Sequence, residues 1–352
     1  MAEAAVRLFA VLALCLLLVP EVARSADHAT VFIYHRFGDA RYPSTNTSLT
    51  DFRAHLETLR QGGYHVLPLF DVVDRLRRGT PLPERCVAIT VDDAFRSFLT
   101  GAVPLLREFG YPATLFVNSG EMDGPDYLSW EELRRLVQGG SIEVGNHSAA
   151  HGYLLDRRKG ESQAVWRERV KGEIRQAQDV LTSRLGRAPR LFAYPYGEFA
   201  NELIEVVREV GFVGAVGQQS GVMGRGQDLF ALPRFPAGGS YGSLGEFRDR
   251  LRFRALPITV QSPGDTLVGA TNPPILRVKL DTGQVDPRTL RCYVPGQSPA
   301  KVTAVDPAAG IYEIRAQAPL QDRRSKYTLT ATDRQGHWMW YSQLWVKPGA
   351  GD

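Results

Sequence analysis

Three short clusters of reactive side chains stand out in the sequence, and each follows a predicted strand. The first cluster is the pair Asp92 and Asp93, after the apolar run CVAITV. Because successive side chains of a strand point to opposite faces, two neighbouring carboxylates enter different environments. One can bind a metal ion while the other accepts a proton. For this pair taken alone, a helix N-cap followed by a surface acid is an open alternative.

The second cluster contains His147 and His151, in the segment GNHSAAH. This spacing places both imidazoles on one face of a helical turn, where they can bind one divalent ion. With Asp93 they form a set of two histidines and one carboxylate, which leaves coordination positions open for water and substrate. Structural zinc sites are instead closed and rich in cysteine. The set predicts a catalytic divalent metal, with zinc first and cobalt, nickel or iron as alternatives.

The third cluster is the segment FAYPYG at residues 192–197. Tyr194, Pro195 and Tyr196 make a rigid turn that can present a backbone N–H and an aromatic ring to a ligand. We predict that Tyr194 and Pro195 bind substrate. A plain proline–glycine turn is the alternative for this cluster taken alone.

The elements around these clusters predict an α/β fold. Up to about residue 255, β-branched runs such as ATLFV and SIEVGN alternate with amphipathic stretches such as DFRAHLETLRQ. Glycines after several of these stretches mark helix ends, as in REFGY and REVGF. Seven such units predict a parallel sheet covered by helices, either a barrel or a doubly wound sheet.

The pattern changes after residue 255. Beyond it we find no convincing helix, only short strands separated by turn residues, as in KYTLTATD and WMWYSQLWV. This spacing is typical of an antiparallel β-sandwich. We therefore predict an α/β domain over residues 26–255 and a small all-β sandwich over residues 256–348.

The first residues have the pattern of an export signal. A short charged start precedes the apolar run of residues 8–20, and small residues follow at a plausible cleavage site. The run is short for a membrane span. We predict a signal peptide over residues 1–25 and an exported protein, periplasmic or secreted, with an uncleaved anchor as the alternative. Of the remaining cysteines, we expect Cys86 and Cys292 to be unpaired thiols.

Composition and charge exclude some classes of function. The chain has 352 residues, of which 43% are hydrophobic and 23% charged, as in ordinary globular proteins. The net charge is only +4, and basic residues are interleaved with acids, as in RRKGESQAVWRERVKGEIRQ. This interleaving indicates solvated helix faces and not a nucleic-acid-binding stripe.

Three segments, ITVDDAF, GNHSAAH and FAYPYG, resemble in that order the first three signature motifs of the NodB-like polysaccharide deacetylases, carbohydrate esterase family 4. The YHRF segment at residues 34–37 and the pattern over residues 52–67 resemble the branch that acts on poly-N-acetylglucosamine in biofilm export. The similarity covers roughly residues 29–240. It implies a distorted (β/α) barrel, an N-acetylated polysaccharide substrate and a cell-envelope export partner.

Residue by residue, the resemblance implies that Asp92 is the catalytic base on metal-bound water. It implies that Asp93, His147 and His151 are the metal ligands and that the backbone N–H of Tyr196 helps to hold the oxyanion. Peptidoglycan, chitin and acetyl-xylan esterases share these motifs and stay as alternatives. A carbohydrate-binding protein without activity, on the same scaffold, is a further hypothesis.

Two positions depart from the family pattern. The arginine that commonly orients the base is replaced by Ala193, and we expect Arg234 to enter the substrate site and supply this charge; a surface arginine is the alternative. The late motif with a general-acid histidine is missing. His35 is our candidate acid, because barrel active sites lie at the carboxyl ends of strands. Water, the metal or His337 are alternatives, whereas we expect His55 to be structural.

Overall fold

The computed structural model describes residues 25–350, so the predicted signal peptide lies outside the described residues except for Ser25. Strands and helices alternate up to residue 250, and only strands follow. The helices are α1 (Leu49–Gln61), α2 (Leu69–Arg78), α3 (Val103–Phe109), α4 (Trp130–Gln138), α5 (Gln163–Leu185), α6 (Asn201–Val210) and α7 (Leu244–Arg250). The strands up to residue 250 are β1 (Ser25–Ala26), β2 (His28–Tyr34), β3 (Arg36–Phe37), β4 (Asn46–Thr47), β5 (His65–Val66), β6 (Leu82–Pro83), β7 (Cys86–Val91), β8 (Ala113–Val117), β9 (Ile142–Asn146), β10 (Leu191–Ala193), β11 (Gly214–Val216), β12 (Met223–Gly224) and β13 (Phe235–Pro236).

The later strands form the all-β region. They are β14 (Arg254–Ala255), β15 (Ile258–Ser262), β16 (Ile275–Leu280), β17 (Val285–Tyr293), β18 (Lys301–Asp306), β19 (Ile311–Arg315), β20 (Arg324–Asp333) and β21 (Trp338–Val346). They pair in two four-stranded sheets, β14-β21-β20-β17 and β15-β16-β19-β18. All pairs are antiparallel except β14 with β21. The predicted all-β region is confirmed, and its limits at residues 256–348 stay a prediction.

Helix ends follow local signals in the sequence. The side chains of Ser48, Ser162 and Ser243 accept a backbone N–H from the first turns of α1, α5 and α7. Gly110 and Gly211 end α3 and α6 in the left-handed conformation, as the glycine pattern predicts. Helix α2 is not among the predicted amphipathic stretches, although its buried Leu69, Val72 and Val73 lie on one face of the helix.

A curled parallel sheet forms the core of the first part. Strands β2, β7, β8, β9, β10 and β11 lie side by side in that order and are parallel. On the other side of β2, β13 pairs parallel with its end and β12 pairs antiparallel with its beginning. The predicted distorted (β/α) barrel is confirmed. Because the central strands are parallel, their carboxyl ends meet at one end of the barrel.

The all-β region packs on the side of the barrel that residues 217–234 close. The indole N–H of Trp340 donates to the Ser220 carbonyl at 3.0 Å, and its ring centroid lies 5.6 Å from that of Phe235. Leu344 and Val346 of β21 belong to a hydrophobic cluster of the barrel. One sheet of the all-β region therefore contributes side chains to the core of the barrel.

Two further expectations concern cysteines and membrane spans. Cys86 and Cys292 are buried and unpaired, as expected. Within residues 25–350, no helix has both the length and the apolar character needed to cross a membrane.

His55 of α1 is a structural residue, as expected. Its ring is fully buried and stacks on Phe247 with centroids 4.0 Å apart. Nε2 donates to the Gly242 carbonyl at 3.0 Å, because a carbonyl only accepts, and Nδ1 then accepts from the Tyr34 hydroxyl at 3.1 Å. Burial lowers the pKa of His55 to about 4 and keeps the imidazole neutral.

We predict that His55 contributes to acid destabilisation. Since its pKa in the folded chain lies below the ordinary 6.5, protons bind the unfolded chain first. Its contribution to stability is full above pH 6.5 and is lost as the pH falls towards 4, by up to about 3 kcal/mol. In His55→Phe, the free energy of unfolding should therefore fall less between pH 7 and pH 4.5, as measured by urea titration. The exposed His65→Phe should keep the wild-type slope, and an equal slope in His55→Phe would contradict the prediction.

Candidate active site

The carboxyl ends of the central strands bring the sequence clusters together. Asp92 and Asp93 follow β7, His147 follows β9 and Tyr196 follows β10, while His35 follows β2. The backbone N–H of Asp92 donates to the carbonyl of the last residue of β2 at 2.9 Å, so the ends of β7 and β2 are joined. The sequence clusters therefore lie together at one end of the barrel, as predicted.

Asp93, His147 and His151 are spaced like the ligands of one ion. Their ligand atoms all lie within 4.8 Å of one another. The two Nε2 atoms are 3.1 Å apart, and Asp93 Oδ1 lies 3.5 Å from His147 Nε2 and 3.3 Å from His151 Nε2. Tetrahedral zinc with bonds of about 2.1 Å separates neighbouring ligands by about 3.4 Å.

The chemical state of these three side chains also fits a divalent cation. Asp93 Oδ1 is buried and has no hydrogen-bond partner among the described residues. The ring Nδ1 of His147 lies 2.8 Å from the Ala193 carbonyl, which only accepts, so the proton is on Nδ1 and Nε2 presents its lone pair. Burial lowers the pKa of His147 to about 3 and lowers that of His151, which keeps both imidazoles neutral.

The charge on Asp93 reflects its surroundings. Burial, together with the neighbouring Asp92 carboxylate, raises the pKa of Asp93 to about 6. His35, Arg36 and Arg234 oppose this rise. A cation among the ligand atoms would favour the ionised carboxylate further.

The ligand-bearing loops have a strained backbone. Within residues 25–350, seven residues other than glycine have positive φ, and five of them belong to the segments ITVDDAF, GNHSAAH and FAYPYG. The five are Asp93 (75°), Ala94 (55°), Ser148 (65°), His151 (51°) and Tyr196 (58°). This conformation is costly for residues with a Cβ and persists where the surroundings enforce it.

The expected helical turn between the two histidines is absent from the described loop, and that expectation was wrong. Residues 147–151 follow β9 without helical structure. The Ser148 N–H donates to Asn146 Oδ1 at 2.8 Å, and the His151 N–H donates to Ser148 Oγ at 3.1 Å. The two left-handed residues Ser148 and His151 turn the chain back, so a loop and not a helix brings the imidazoles together.

Arg234 makes a buried two-pronged ion pair with Asp92. Its Nη1 and Nη2 donate to the two Asp92 oxygens at 2.7 and 2.8 Å, and its Nε donates to the Gly217 carbonyl at 2.9 Å. Both side chains are 0% exposed. Burial alone would raise the pKa of Asp92, but the charge and the hydrogen bonds of Arg234 lower it to about 2. The expectation that Arg234 binds substrate was wrong, because it is fully buried, whereas it does supply a charge to Asp92.

Tyr194 and Pro195 do not reach a ligand-accessible surface. Tyr194 is fully buried, packs on Phe199 and donates its hydroxyl to the Phe230 carbonyl at 2.9 Å. Pro195 is buried in the short 3₁₀ turn Pro195–Gly197. The predicted contacts of their side chains with substrate are therefore incorrect, since the core of the barrel covers both.

Tyr196 lies beside the ligand histidine. Its ring packs edge-on against that of His151, with centroids 4.6 Å apart, and stacks on Tyr153 at 4.0 Å. This places the turn that carries the Tyr196 peptide next to the ligand set. The oxyanion role of its N–H stays a prediction.

The two histidines considered as the acid lie in different parts of the molecule. His35 is half-buried and directly follows β2, whose last carbonyl accepts the Asp92 N–H, so it lies at the same end of the barrel as the candidate site. His337 instead contacts Asp333 at 2.8 Å. Asp333 pairs with Arg254, which acts on His28 at the amino end of β2. His337 is therefore remote from the candidate site.

A second group of charged residues next to the site was not predicted. Arg323, Glu198 and Asp156 form buried and half-buried ion pairs below the aromatic ring of Tyr153. No local signal identifies them, because Arg323 stands in an ordinary polar segment of the all-β region.

We predict that the ligand set binds zinc. Excess zinc should raise the melting temperature of the wild-type chain, because a ligand of the folded state at 100 times its Kd stabilises by about 2.7 kcal/mol. Asp93→Asn and His151→Ala should lose this gain, whereas His337→Ala should keep it. Calorimetry with zinc and with a chelator measures the difference. A full zinc-dependent gain in Asp93→Asn would rule out this ligand set.

Part of the chain matches a known protein family. Residues 79–215 match the polysaccharide deacetylase family. The chain is 25% identical over 257 residues to the poly-beta-1,6-N-acetyl-D-glucosamine N-deacetylase of Escherichia coli K12, which covers 63% of this chain and 37% of that relative. The chain thus spans little more than a third of the length of that relative.

Solved structures show the same fold. IcaB from Ammonifex degensii superposes with a TM-score of 0.54 and 25% identity, over 62% of this chain and 94% of that one. A de-N-acetylase from Aggregatibacter actinomycetemcomitans superposes with a TM-score of 0.57 and 18% identity, over 64% of this chain and 100% of that one, a likeness of fold alone. Residues 79–215 therefore match polysaccharide deacetylases in sequence, and the barrel around them has the fold of the NodB-type deacetylases.

Proposed function

We propose that the protein hydrolyses N-acetyl groups of an amino-sugar polysaccharide of the poly-N-acetylglucosamine type. The observation that carries this proposal is the triangle of ligand atoms from Asp93, His147 and His151 beside the Asp92 carboxylate. The choice of substrate is supported by the E. coli relative, which is named a poly-beta-1,6-N-acetyl-D-glucosamine N-deacetylase.

Each residue of the candidate site has its own role in the proposed reaction. A divalent cation held by Asp93, His147 and His151 would supply a Lewis acid that polarises the acetamide carbonyl. Asp92, with Oδ2 3.8 Å from His147 Nε2, accepts the proton of the attacking water. The Tyr196 N–H donates to the oxyanion that develops on the carbonyl oxygen.

Collapse of the tetrahedral carbon completes the reaction. The bond between the carbonyl carbon and nitrogen breaks, and the nitrogen needs a proton to leave as an amine. We assign this proton to His35, because it lies at the same end of the barrel as the candidate site and the other candidate, His337, is remote from it. The products are acetate and a free amino sugar.

The buried Arg234 supports the role of Asp92 as base. Its charge keeps Asp92 ionised at neutral pH, and its two hydrogen bonds hold the carboxylate in one orientation. Ala193 carries no charge, and Arg234, directly before β13, supplies the positive charge beside Asp92 instead. This ion pair favours an enzyme over a binding protein on the same scaffold, since sugar binding alone does not require an oriented, ionised carboxylate beside a metal.

We also propose that the reaction takes place outside the cytoplasm, in the periplasm or secreted. The charged start, the apolar run and the small residues of residues 1–25 support export. Fractionation of cells that produce the full chain tests this proposal, and retention of the uncleaved chain in the cytoplasm would contradict it.

We predict that Asp92→Asn abolishes acetate release from N-acetylated glucosamine oligomers. Loss of a general base lowers such rates by about 10²- to 10⁴-fold. The zinc-dependent gain in melting temperature should remain, because Asp92 is not in the ligand triangle. Acetate release is measured on β-1,6- and β-1,4-linked oligomers, peptidoglycan and acetyl-xylan, and the preferred substrate distinguishes the esterase alternatives. Undiminished release by Asp92→Asn would reject Asp92 as the base.

We predict that Arg234→Met lowers both activity and stability. It leaves the Asp92 carboxylate buried without a counter-charge, which costs about 3–5 kcal/mol in the free energy of unfolding. Arg234→Lys keeps the charge but not the two-pronged geometry, so its activity should be intermediate. The exposed Arg225→Met, in the same segment, is the control. Wild-type acetate release by Arg234→Met would show that the pair does not orient the base.

A further inference from the structure

Arg323 of the all-β region reaches the two loops that carry the candidate site. It stands directly before β20, and its side chain is 2% exposed. Nε and Nη2 donate to the two Glu198 oxygens at 2.7 and 2.8 Å, and Nη1 and Nη2 donate to Asp156 at 3.1 and 2.8 Å. Glu198 directly follows the turn Pro195–Gly197, and Asp156 lies five residues after His151.

A column of rings connects Arg323 to the ligand set. Its guanidinium lies 3.8 Å from the centroid of the Tyr153 ring. Tyr153 stacks on Tyr196 with centroids 4.0 Å apart and planes inclined by 19°. Tyr196 in turn packs edge-on against His151. Both the ion pair with Glu198 and the stacked rings thus connect Arg323 to the turn Pro195–Gly197.

The next residue adds a direct contact. Arg324, the first residue of β20, donates from Nη1 to the Tyr196 carbonyl at 3.4 Å, and its guanidinium lies 5.3 Å from the Tyr196 ring. The Glu198 side chain is 1% exposed and lies within 3.9 Å of Arg324 Nε. The beginning of β20 therefore contacts the Tyr196 ring, the Tyr196 carbonyl and Glu198, which follows the turn.

These contacts matter because the turn is strained. Tyr196 has φ 58°, which a residue with a Cβ adopts only when its surroundings hold it there. A guanidinium that donates to two carboxylates in fixed fork geometry is a rigid support. The position of the Tyr196 peptide is therefore coupled to a side chain that lies 127 residues further along the chain.

We propose that Arg323 is a positioning residue for the deacetylation reaction, through which the all-β region completes the active site. It holds the turn that presents the Tyr196 N–H to the oxyanion, and it does not touch the substrate. This inference rests on the proposed function, since the N–H has this role only in acyl transfer. A domain that merely binds polymer would leave the chemical step unchanged.

The test compares variants of the full chain on the preferred N-acetylated oligomer. Arg323→Met should lower kcat by about 10- to 100-fold, the size of effect expected when a reacting group is displaced by about 1 Å. KM and the zinc-dependent gain in melting temperature should change less than about twofold, since His147 and His151 are also held by their own hydrogen bonds to the Ala193 carbonyl and to Ser148 Oγ. Arg323→Lys should be intermediate. An unchanged kcat in Arg323→Met would overturn the proposal.

A matched control separates positioning from attachment of the all-β region. Arg254 pairs with Asp333 at 2.9 Å, at the other end of β20. Arg254→Met removes a charged contact of the same strand but should keep kcat within about twofold of wild type. An equal loss of kcat in both variants would show that attachment alone matters, and would overturn the proposal.

A double variant removes the effect of stability. Arg323→Met leaves the buried Glu198 charge without its two-pronged partner, and Arg323→Met with Glu198→Gln removes that charge. We expect the melting temperature of the double variant to recover while kcat stays low. Recovery of kcat together with the melting temperature would show a merely structural role and overturn the proposal.

A crystal structure of the double variant gives a readout without activity. We expect Tyr196 to leave its left-handed conformation or to separate from His151. Retention of both would overturn the proposal. If the wild-type chain releases no acetate from any of the polymers, the proposed function fails, and this outcome differs from a wild-type rate that Arg323→Met does not change.

Discussion

The structure of the candidate site depends on one buried ion pair between Asp92 and Arg234. Both side chains are removed from water, which is costly for two charges unless every donor and acceptor is placed well. The fork geometry, with distances of 2.7 and 2.8 Å, meets this condition. It also joins the end of β7 to the segment that closes the barrel. The same ion pair therefore closes the barrel and orients the proposed base.

The ligand set shows a second consequence of this arrangement. His147 is held by its own hydrogen bond to the Ala193 carbonyl, so the residue that replaces the family's arginine still orients a ligand through its backbone. The small Ala193 side chain, at the end of β10, is fully buried. In this chain Arg234 supplies the charge beside Asp92, and the Ala193 carbonyl orients His147. Both contacts are possible because several parallel strands end at the same place.

Strain in the loops is balanced by contacts outside the barrel. Asp93, His151 and Tyr196 all have a left-handed backbone, which is energetically costly for a residue with a Cβ. The hydrogen bonds of the loop support His151, and the ion pairs of Arg323 support the turn at Tyr196. The all-β region is thus part of the scaffold that holds the site, in addition to any contact it makes with a polymer.

Much of the fold could be predicted because its signals are local. The runs CVAITV and ATLFV correspond to strands Cys86–Val91 and Ala113–Val117, since buried β-branched runs favour parallel strands. The order of the three motifs also sufficed to propose Asp93 and the two histidines as neighbours. The loop between the histidines was not predicted, because its turns depend on the left-handed backbone of Ser148 and His151, which the spacing of the histidines does not indicate.

The sequence by itself determined the strands, the polar residues at their ends and the family that they resemble. Only the tertiary structure decided that Arg234 meets Asp92, 142 residues away, and that Arg323 meets Glu198, 125 residues away. It also decided that Tyr194 lies in the core. The physical reason is that an ion pair depends on which loops barrel closure and domain packing bring within about 3 Å, and residue spacing along the chain carries no record of that distance.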